Sequence, residues 1–133
     1  MSGPTILDAS ALLAHALREP GHEVVSAALD PGCAASSLNL SEAVGRMMRA
    51  GASWELCLEW MDELPVFAAP FDRELAYQAA RLAPVCAPLG LSLADRACLV
   101  TAARLGADRV LTADRAWSKI DVPELGVRIQ VIR

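Results

Sequence analysis

Four acidic side chains are the residues of this chain best placed to do chemistry, and two of them belong to its last third. Asp95 falls in the first turn of a predicted helix that begins after Ser92, and Asp114 follows the predicted strand 109–112. If this helix packs back on the strand that it feeds, its start meets the strand's end, which brings Asp95 near Asp114. Two carboxylates at one edge repel each other unless a proton or a metal ion lies between them.

The other two acids follow the first two predicted strands. Asp8 ends the apolar strand 5–7, and Glu42 lies in the first turn of a helix that we expect to begin at Asn39. Helix caps alone would explain both, with Asp8 as an N-cap and Glu42 in a capping box with Asn39. Arg46, one turn after Glu42, is expected to pair with it or to contact a phosphate. Because one site explains four acids at one edge better than four unrelated caps do, we interpret all four as catalytic residues and metal ligands.

The elements that must position these acids alternate along the chain. The predicted strands are 5–7, 33–36, 66–68, 109–112 and 127–132, and the predicted helices are 9–17, 22–29, 39–50, 52–64, 72–86 and 93–105. Pro84 is expected to kink or shorten the fifth helix, and Gly106 to end the sixth. Strands separated by helices indicate a parallel sheet covered on both faces, whose ligands bind beyond the carboxyl ends of the strands.

Length and composition limit the class of protein. The chain has 133 residues, of which 54% are hydrophobic, and we expect one compact domain over residues 1–133. No apolar run approaches the ~20 residues of a membrane span and no secretory signal pattern begins the chain, so we expect a soluble, cytoplasmic protein with no membrane association. The four cysteines lack metal or redox spacing and are interpreted as small buried hydrophobes; they are Cys33, Cys57, Cys86 and Cys98. His15 and His22 have no partner at ligand spacing.

The net charge of −4 does not exclude a nucleic-acid substrate. If four of the 16 acidic residues are metal ligands, the remaining 12 balance the 12 basic residues. An all-carboxylate site with no His or Cys suits Mg²⁺ or Mn²⁺, which acidify a bound water and allow it to attack a phosphodiester. Asp8, Asp95 and Asp114 are the expected direct ligands, and Glu42 is expected to bind through water or to orient the attacking water.

Two other classes of protein fit these residues less well. A phosphatase with an aspartyl nucleophile would have a second Asp where this chain has Ser10. A phosphoacceptor receiver domain would have an acidic pair after its first strand and a lysine after its last core strand, whereas the only lysine here is Lys119. A non-enzymatic binding module remains as an alternative interpretation.

Three stretches of the sequence together resemble one family. LDASALLA, SLNLSEAVGRM and LSLADRACLVTAARLGADRVLTADRAW resemble the PIN-domain ribonucleases, in particular the VapC-like toxins of bacterial toxin–antitoxin pairs. The resemblance extends over essentially the whole chain. It implies a three-layer α/β/α sandwich around a five-stranded parallel sheet, and Mg²⁺- or Mn²⁺-dependent cleavage of RNA by the four acids. It also implies supporting positions at Ser10 and Thr112.

The resemblance has consequences for partners as well. It implies a homodimer and a small antitoxin protein that blocks the cleft, for which a basic side chain among the four acids would be the expected chemistry. The apolar helix face around Trp54, Leu58 and Met61 is the expected docking surface or dimer contact. A PIN nuclease of RNA processing that is not a toxin, and a PIN-fold protein that binds without catalysis, remain as alternatives.

Overall fold

A computed structural model describes residues 3–133; residues 1 and 2, which the predicted single domain includes, lie outside the described residues. The strands are β1 (Thr5–Leu7), β2 (Cys33–Ser36), β3 (Val66–Ala69), β4 (Arg109–Thr112) and β5 (Arg128–Val131). The helices are α1 (Ala9–Leu17), α2 (His22–Leu29), α3 (Ser37–Arg49), α4 (Trp54–Glu63), α5 (Arg73–Arg81), α6 (Ala83–Cys86) and α7 (Leu93–Arg104). Short 3-10 helices lie at Ala87–Leu89, Arg115–Lys119 and Pro123–Leu125.

The five strands form one parallel sheet in the order β3-β2-β1-β4-β5. Successive residues of β1 point to opposite faces, as in any strand. Leu7 packs in an apolar cluster with α1 to α4, whereas Ile6 packs in a second cluster with α5 to α7. The predicted α/β/α sandwich around a five-stranded parallel sheet is therefore confirmed.

Helix α3 begins earlier than the sequence predicted. Ser36 is its N-cap and accepts a hydrogen bond from the Leu38 backbone N–H, so the helix starts at Ser37. Asn39, which we expected to cap the helix, lies inside it and is fully buried. The capping box of Asn39 and Glu42 was therefore wrong, because a serine three residues earlier was already a good cap.

Most other boundaries fall where the sequence placed them. The predicted helix 72–86 divides into α5 and α6, and Pro84 lies in the first turn of α6, where its missing N–H is harmless. Asp72 caps α5 by accepting a hydrogen bond from the Leu75 N–H. All four cysteines are buried free thiols, as expected. Within residues 3–133, none of the helices has the length and apolar character needed to cross a membrane.

Candidate active site

The carboxyl ends of β1, β2 and β4 meet at one cleft because these strands are neighbours. β1 pairs with β4 through Leu7 and Leu111, so that Asp8 and Asp114 follow adjacent strands. β2 leads into α3, and α7 packs across the same strands. The cleft has a volume of about 270 Å³ and is lined by Asp8, Ala9, Ser10, Glu42, Arg46, Gly90, Ser92, Asp95 and Asp114. The four predicted acids, Ser10 and Arg46 therefore share one cleft.

Asp8 is the most buried of the four acids, with 3% of its surface exposed. Its Oδ1 caps α1 by accepting hydrogen bonds from the Ala11 N–H at 2.8 Å and from the Ser10 hydroxyl at 2.7 Å. Its Oδ2 accepts a hydrogen bond from the Thr112 hydroxyl at 2.6 Å. Burial raises the pKa of Asp8 to about 6 although these hydrogen bonds lower it, and the charge of Asp95 adds to the rise.

Ser10 and Thr112 connect the ends of β1 and β4 behind this carboxylate. The Ser10 hydroxyl accepts a hydrogen bond from the Ala113 N–H at 2.8 Å, and the Thr112 hydroxyl accepts one from the Asp114 N–H at 3.1 Å. The two hydroxyl oxygens lie 3.3 Å apart. Through Thr112 the position of Asp8 is therefore coupled to that of Asp114, which is the geometry that a supporting role requires.

Asp95 and Asp114 are each held by hydrogen bonds at the start of a helical segment. Asp95 forms a capping box with Ser92: its Oδ2 accepts the Ser92 N–H at 2.8 Å, and its own N–H donates to the Ser92 hydroxyl. Burial raises the pKa of Asp95; the hydrogen bonds from Ser92 lower it, the charge of Asp114 raises it, and that of Arg46 lowers it. Asp114 is exposed and caps the 3-10 helix Arg115–Lys119 through the Ala116 N–H, a helix that the sequence did not predict.

Glu42 is paired with the one basic residue that lines the cleft among the described residues. Its Oε1 lies 2.6 Å from Nη2 of Arg46, four residues later on α3. The Glu42 side chain is 23% exposed and the Arg46 side chain 48%. The ion pair that the spacing predicted is present, and it neutralises one of the four acids.

Asn39 supports the cleft in a way that the sequence analysis missed. Its Nδ2 donates to the backbone carbonyl of Ala94 at 3.1 Å, and its Oδ1 has no hydrogen-bond partner in the described part of the chain. This bond connects α3, which carries Glu42, with the first turn of α7, which carries Asp95. The available signal was spacing: Asn39, Ala43 and Met47 form the buried stripe of α3, and a polar residue on such a stripe needs a buried partner.

The donor set fits a hard divalent cation. All four acids present oxygen, no His or Cys lines the cleft, and burial and mutual repulsion raise the pKa of Asp8 and of Asp95. Across residues 3–133 no three His, Cys, Asp or Glu side chains converge as a ready-made metal site. The oxygens instead accept local hydrogen bonds or pair with Arg46. This arrangement suits Mg²⁺, which keeps several waters and is held directly by one or two carboxylates.

Solved structures with the same fold come from several toxin–antitoxin systems. The toxin VapC20 from Mycobacterium tuberculosis is 16% identical, with coverage of 86% of this chain and 92% of that chain and a TM-score of 0.73. VapBC from Salmonella typhimurium is 18% identical over 100% of both chains, with a TM-score of 0.69. FitAcB from Neisseria gonorrhoeae is 21% identical over 94% of this chain and 95% of that chain, with a TM-score of 0.60. At these identities the likeness concerns the fold.

The sequence itself matches a family description. No curated protein matches the chain. The sequence model of the PIN domain, however, matches residues 5–123, which include Asp8, Glu42, Asp95 and Asp114. Because this match extends over most of its length, the chain belongs to the PIN domain family.

Proposed function

We propose that this protein is a Mg²⁺- or Mn²⁺-dependent endoribonuclease of the cytoplasm and the toxin of a toxin–antitoxin pair. The observation that carries the proposal is the convergence of Asp8, Glu42, Asp95 and Asp114 on one cleft at the carboxyl ends of the strands. Carboxylates in this number, without a histidine or a nucleophilic cysteine beside them, suit metal-dependent hydrolysis of a phosphodiester better than covalent catalysis.

The four acids differ in burial, and we assign each a role according to its position in the cleft. When bound, the metal ion acidifies a water and offsets the charge of the phosphate. Asp8 and Asp95, each fixed by its own cap, would hold the ion from the floor of the cleft. Asp114 would complete the set from the exposed side, where RNA arrives. Glu42 would bind through water or accept a hydrogen bond from the attacking water, and Ser10 and Thr112 would keep Asp8 in place.

The relatives of known structure support the choice of substrate and partner. The VapC20 structure is described as that of a sarcin–ricin loop cleaving toxin, and the Salmonella VapBC structure as DNA bound. We infer from this fold likeness that RNA is the substrate here and that a cognate antitoxin holds the protein inactive. The homodimer is part of the proposal because the resemblance of the sequence to the VapC-like toxins implies it.

An apolar groove beside the cleft supports the proposal that a protein partner binds there. The α3–α4 groove has a volume of about 590 Å³ and is lined by Leu40, Ser41, Val44, Trp54, Leu58, Met61, Asp62, Leu64, Val66 and Ala68. Trp54 and Leu58 are 52% and 40% exposed, and an antitoxin helix would cover them. A basic side chain of the antitoxin would enter the cleft and compete with the metal.

The direct test is cleavage of RNA by the purified protein. We expect total cellular RNA to be cut in Mg²⁺ or Mn²⁺ and to stay intact in chelator, and sequencing of the new ends would identify the target. Asp8→Asn should lower the rate by about 100-fold or more, because ligand loss weakens the site directly. Cleavage that continues in chelator would contradict the mechanism. A folded, partner-binding protein that never cuts RNA would favour the non-catalytic alternative.

A further inference from the structure

Arg46 stands apart from the other residues of the cleft by its charge. It is the only basic side chain among the described residues that line the cleft, and the four acids surround the same volume. Its guanidinium pairs with Glu42 at 2.6 Å, and its charge lowers the pKa of Asp95, across the cleft on α7. Arg46 therefore supplies positive charge where a divalent ion would also supply it.

The two partners of this ion pair differ in their freedom to move. The Glu42 side chain is mostly buried, whereas about half of the Arg46 side chain is exposed. Arg46 can leave Glu42 and remain solvated, so that breaking the pair would leave no buried cation behind. An ion of charge two that binds beside Glu42, even with a water between them, attracts the carboxylate more strongly than one guanidinium does, and it repels Arg46.

We propose that Arg46 is an exchangeable cation: it neutralises Glu42 before the metal binds, and it contacts a phosphate of the RNA after the metal has displaced it. The inference rests on the proposed function. The planar guanidinium with its five donors suits this second role, because it binds phosphate oxygens in pairs. The same residue thereby couples occupation of the metal site to capture of the substrate.

The first measurement is the affinity of the protein for Mn²⁺, determined by isothermal titration calorimetry in the absence of RNA. Arg46→Gln removes the competing cation, and we expect Mn²⁺ to bind about two- to fivefold more tightly, the range of an exposed ion pair. Arg46→Lys should bind Mn²⁺ nearly as the wild type does. The matched control is Arg49→Gln, which removes an exposed arginine of the same helix that does not line the cleft, and its affinity should be unchanged.

The second measurement is binding of a short single-stranded RNA with hydrolysis-resistant phosphorothioate linkages, at saturating Mn²⁺. The Arg46→Gln protein loses one phosphate contact, so we expect it to bind this RNA more weakly than the wild type does. The slope of log affinity against log salt concentration should decrease in magnitude by about 0.7. Arg49→Gln should keep the slope of the wild type. Opposite effects of one substitution on the two ligands are what distinguish exchange from a structural role of Arg46.

The outcomes separate this inference from the proposed function. A wild-type protein that binds no Mn²⁺ would overturn both. If the wild type binds Mn²⁺ but Arg46→Gln binds it no more tightly, or if its salt slope is unchanged, the exchange is wrong while the nuclease proposal stands. Equal effects of Arg46→Gln and Arg49→Gln would also overturn the exchange, because they would reflect the overall charge of α3.

Discussion

The acids of the cleft combine a local structural role with their predicted chemical one. Asp8, Asp95 and Asp114 each accept a backbone N–H at the start of a helical segment. Such N–H groups stabilise a carboxylate, so the chain can bring three negative charges to one edge before any metal binds. The sequence supported both the cap and the site interpretation because the same acidic residues suit both roles.

The pH dependence of stability should report the burial of Asp8. Its pKa rises from 3.8 to about 6 on folding, so between these values the folded protein holds a proton that the unfolded chain has lost. Stability in chelator should therefore fall as the pH rises from about 4 to 6, by up to about 3 kcal/mol from this residue. Asp8→Asn keeps a hydrogen-bonding side chain without the charge and should lack this fall.

Urea unfolding of both proteins across that pH range gives the test. The difference between wild type and Asp8→Asn isolates the contribution of this carboxyl from those of all other groups. Asp121→Asn, at an exposed position, serves as the control and should follow the wild type. Parallel pH profiles of wild type and Asp8→Asn would mean that Asp8 ionises at the same pH in the folded and the unfolded chain.

At the scale of elements, the cleft depends on how α3 and α7 meet. Each helix contributes one acid from its first half, Glu42 from α3 and Asp95 from α7. The side chain of Asn39 joins the two helices through the carbonyl of Ala94, and all of Asn39 is buried. A buried polar contact of this kind fixes the distance between two helices more specifically than apolar packing does.

Asn39→Ala should therefore destabilise the protein. The substitution removes the hydrogen bond that the Ala94 carbonyl accepts from Asn39 and opens a small cavity, which together should lower the free energy of unfolding by about 1–3 kcal/mol. Chemical denaturation measures the loss, and Ser41→Ala, at an exposed position of the same helix, should change little. Equal values for the two variants would show that the Asn39 bond contributes nothing to stability.

The sequence predicted those parts of the fold that local chemistry determines. Short apolar runs bounded by Gly, Pro or an acid gave all five strands, and α1 and α2 begin and end at the predicted residues. Parallel strands then required Asp8 and Asp114 to meet at one edge. The parts that were missed depend on contacts distant in the chain: the bond from Asn39 to Ala94, and the 3-10 helix Arg115–Lys119, whose Trp117 is completely buried. Spacing along α3 indicates that Asn39 needs a buried partner, but no local pattern identifies which distant residue Asn39 or Trp117 contacts.

At the scale of the whole molecule, negative charge and apolar surface lie side by side. Helix α4 carries four acids and no basic residue, and its Trp54, Leu58 and Met61 line the α3–α4 groove. Leu40 and Val44 on the opposite wall belong to α3, which also carries Glu42 and Arg46 toward the cleft. An amphipathic helix of a partner would place its apolar face in the groove and its basic residues near the acids. Such a helix could extend from the groove to the cleft.

The proposed toxin function predicts a growth phenotype. Expression of the wild type alone should arrest growth, because RNA cleavage continues unchecked, whereas Asp8→Ala should be harmless. Co-expression of the protein encoded beside it should restore growth. Wild-type protein that is harmless at levels where its RNA cleavage is measurable, or a neighbouring product that does not bind it, would contradict the toxin–antitoxin assignment.

The groove predicts which surface the antitoxin needs. Leu58→Glu places a charge among the apolar residues of the α3–α4 groove, where a buried unpaired carboxylate would weaken binding by about 2 kcal/mol or more. This variant should therefore arrest growth even at antitoxin levels that silence the wild type, and the arrest itself would show that the nuclease remains folded and active. Tyr77→Glu, a charge at an exposed aromatic residue of α5 that does not line the groove, should still be neutralised. If the antitoxin silences Leu58→Glu as readily as Tyr77→Glu, the partner does not bind in the α3–α4 groove.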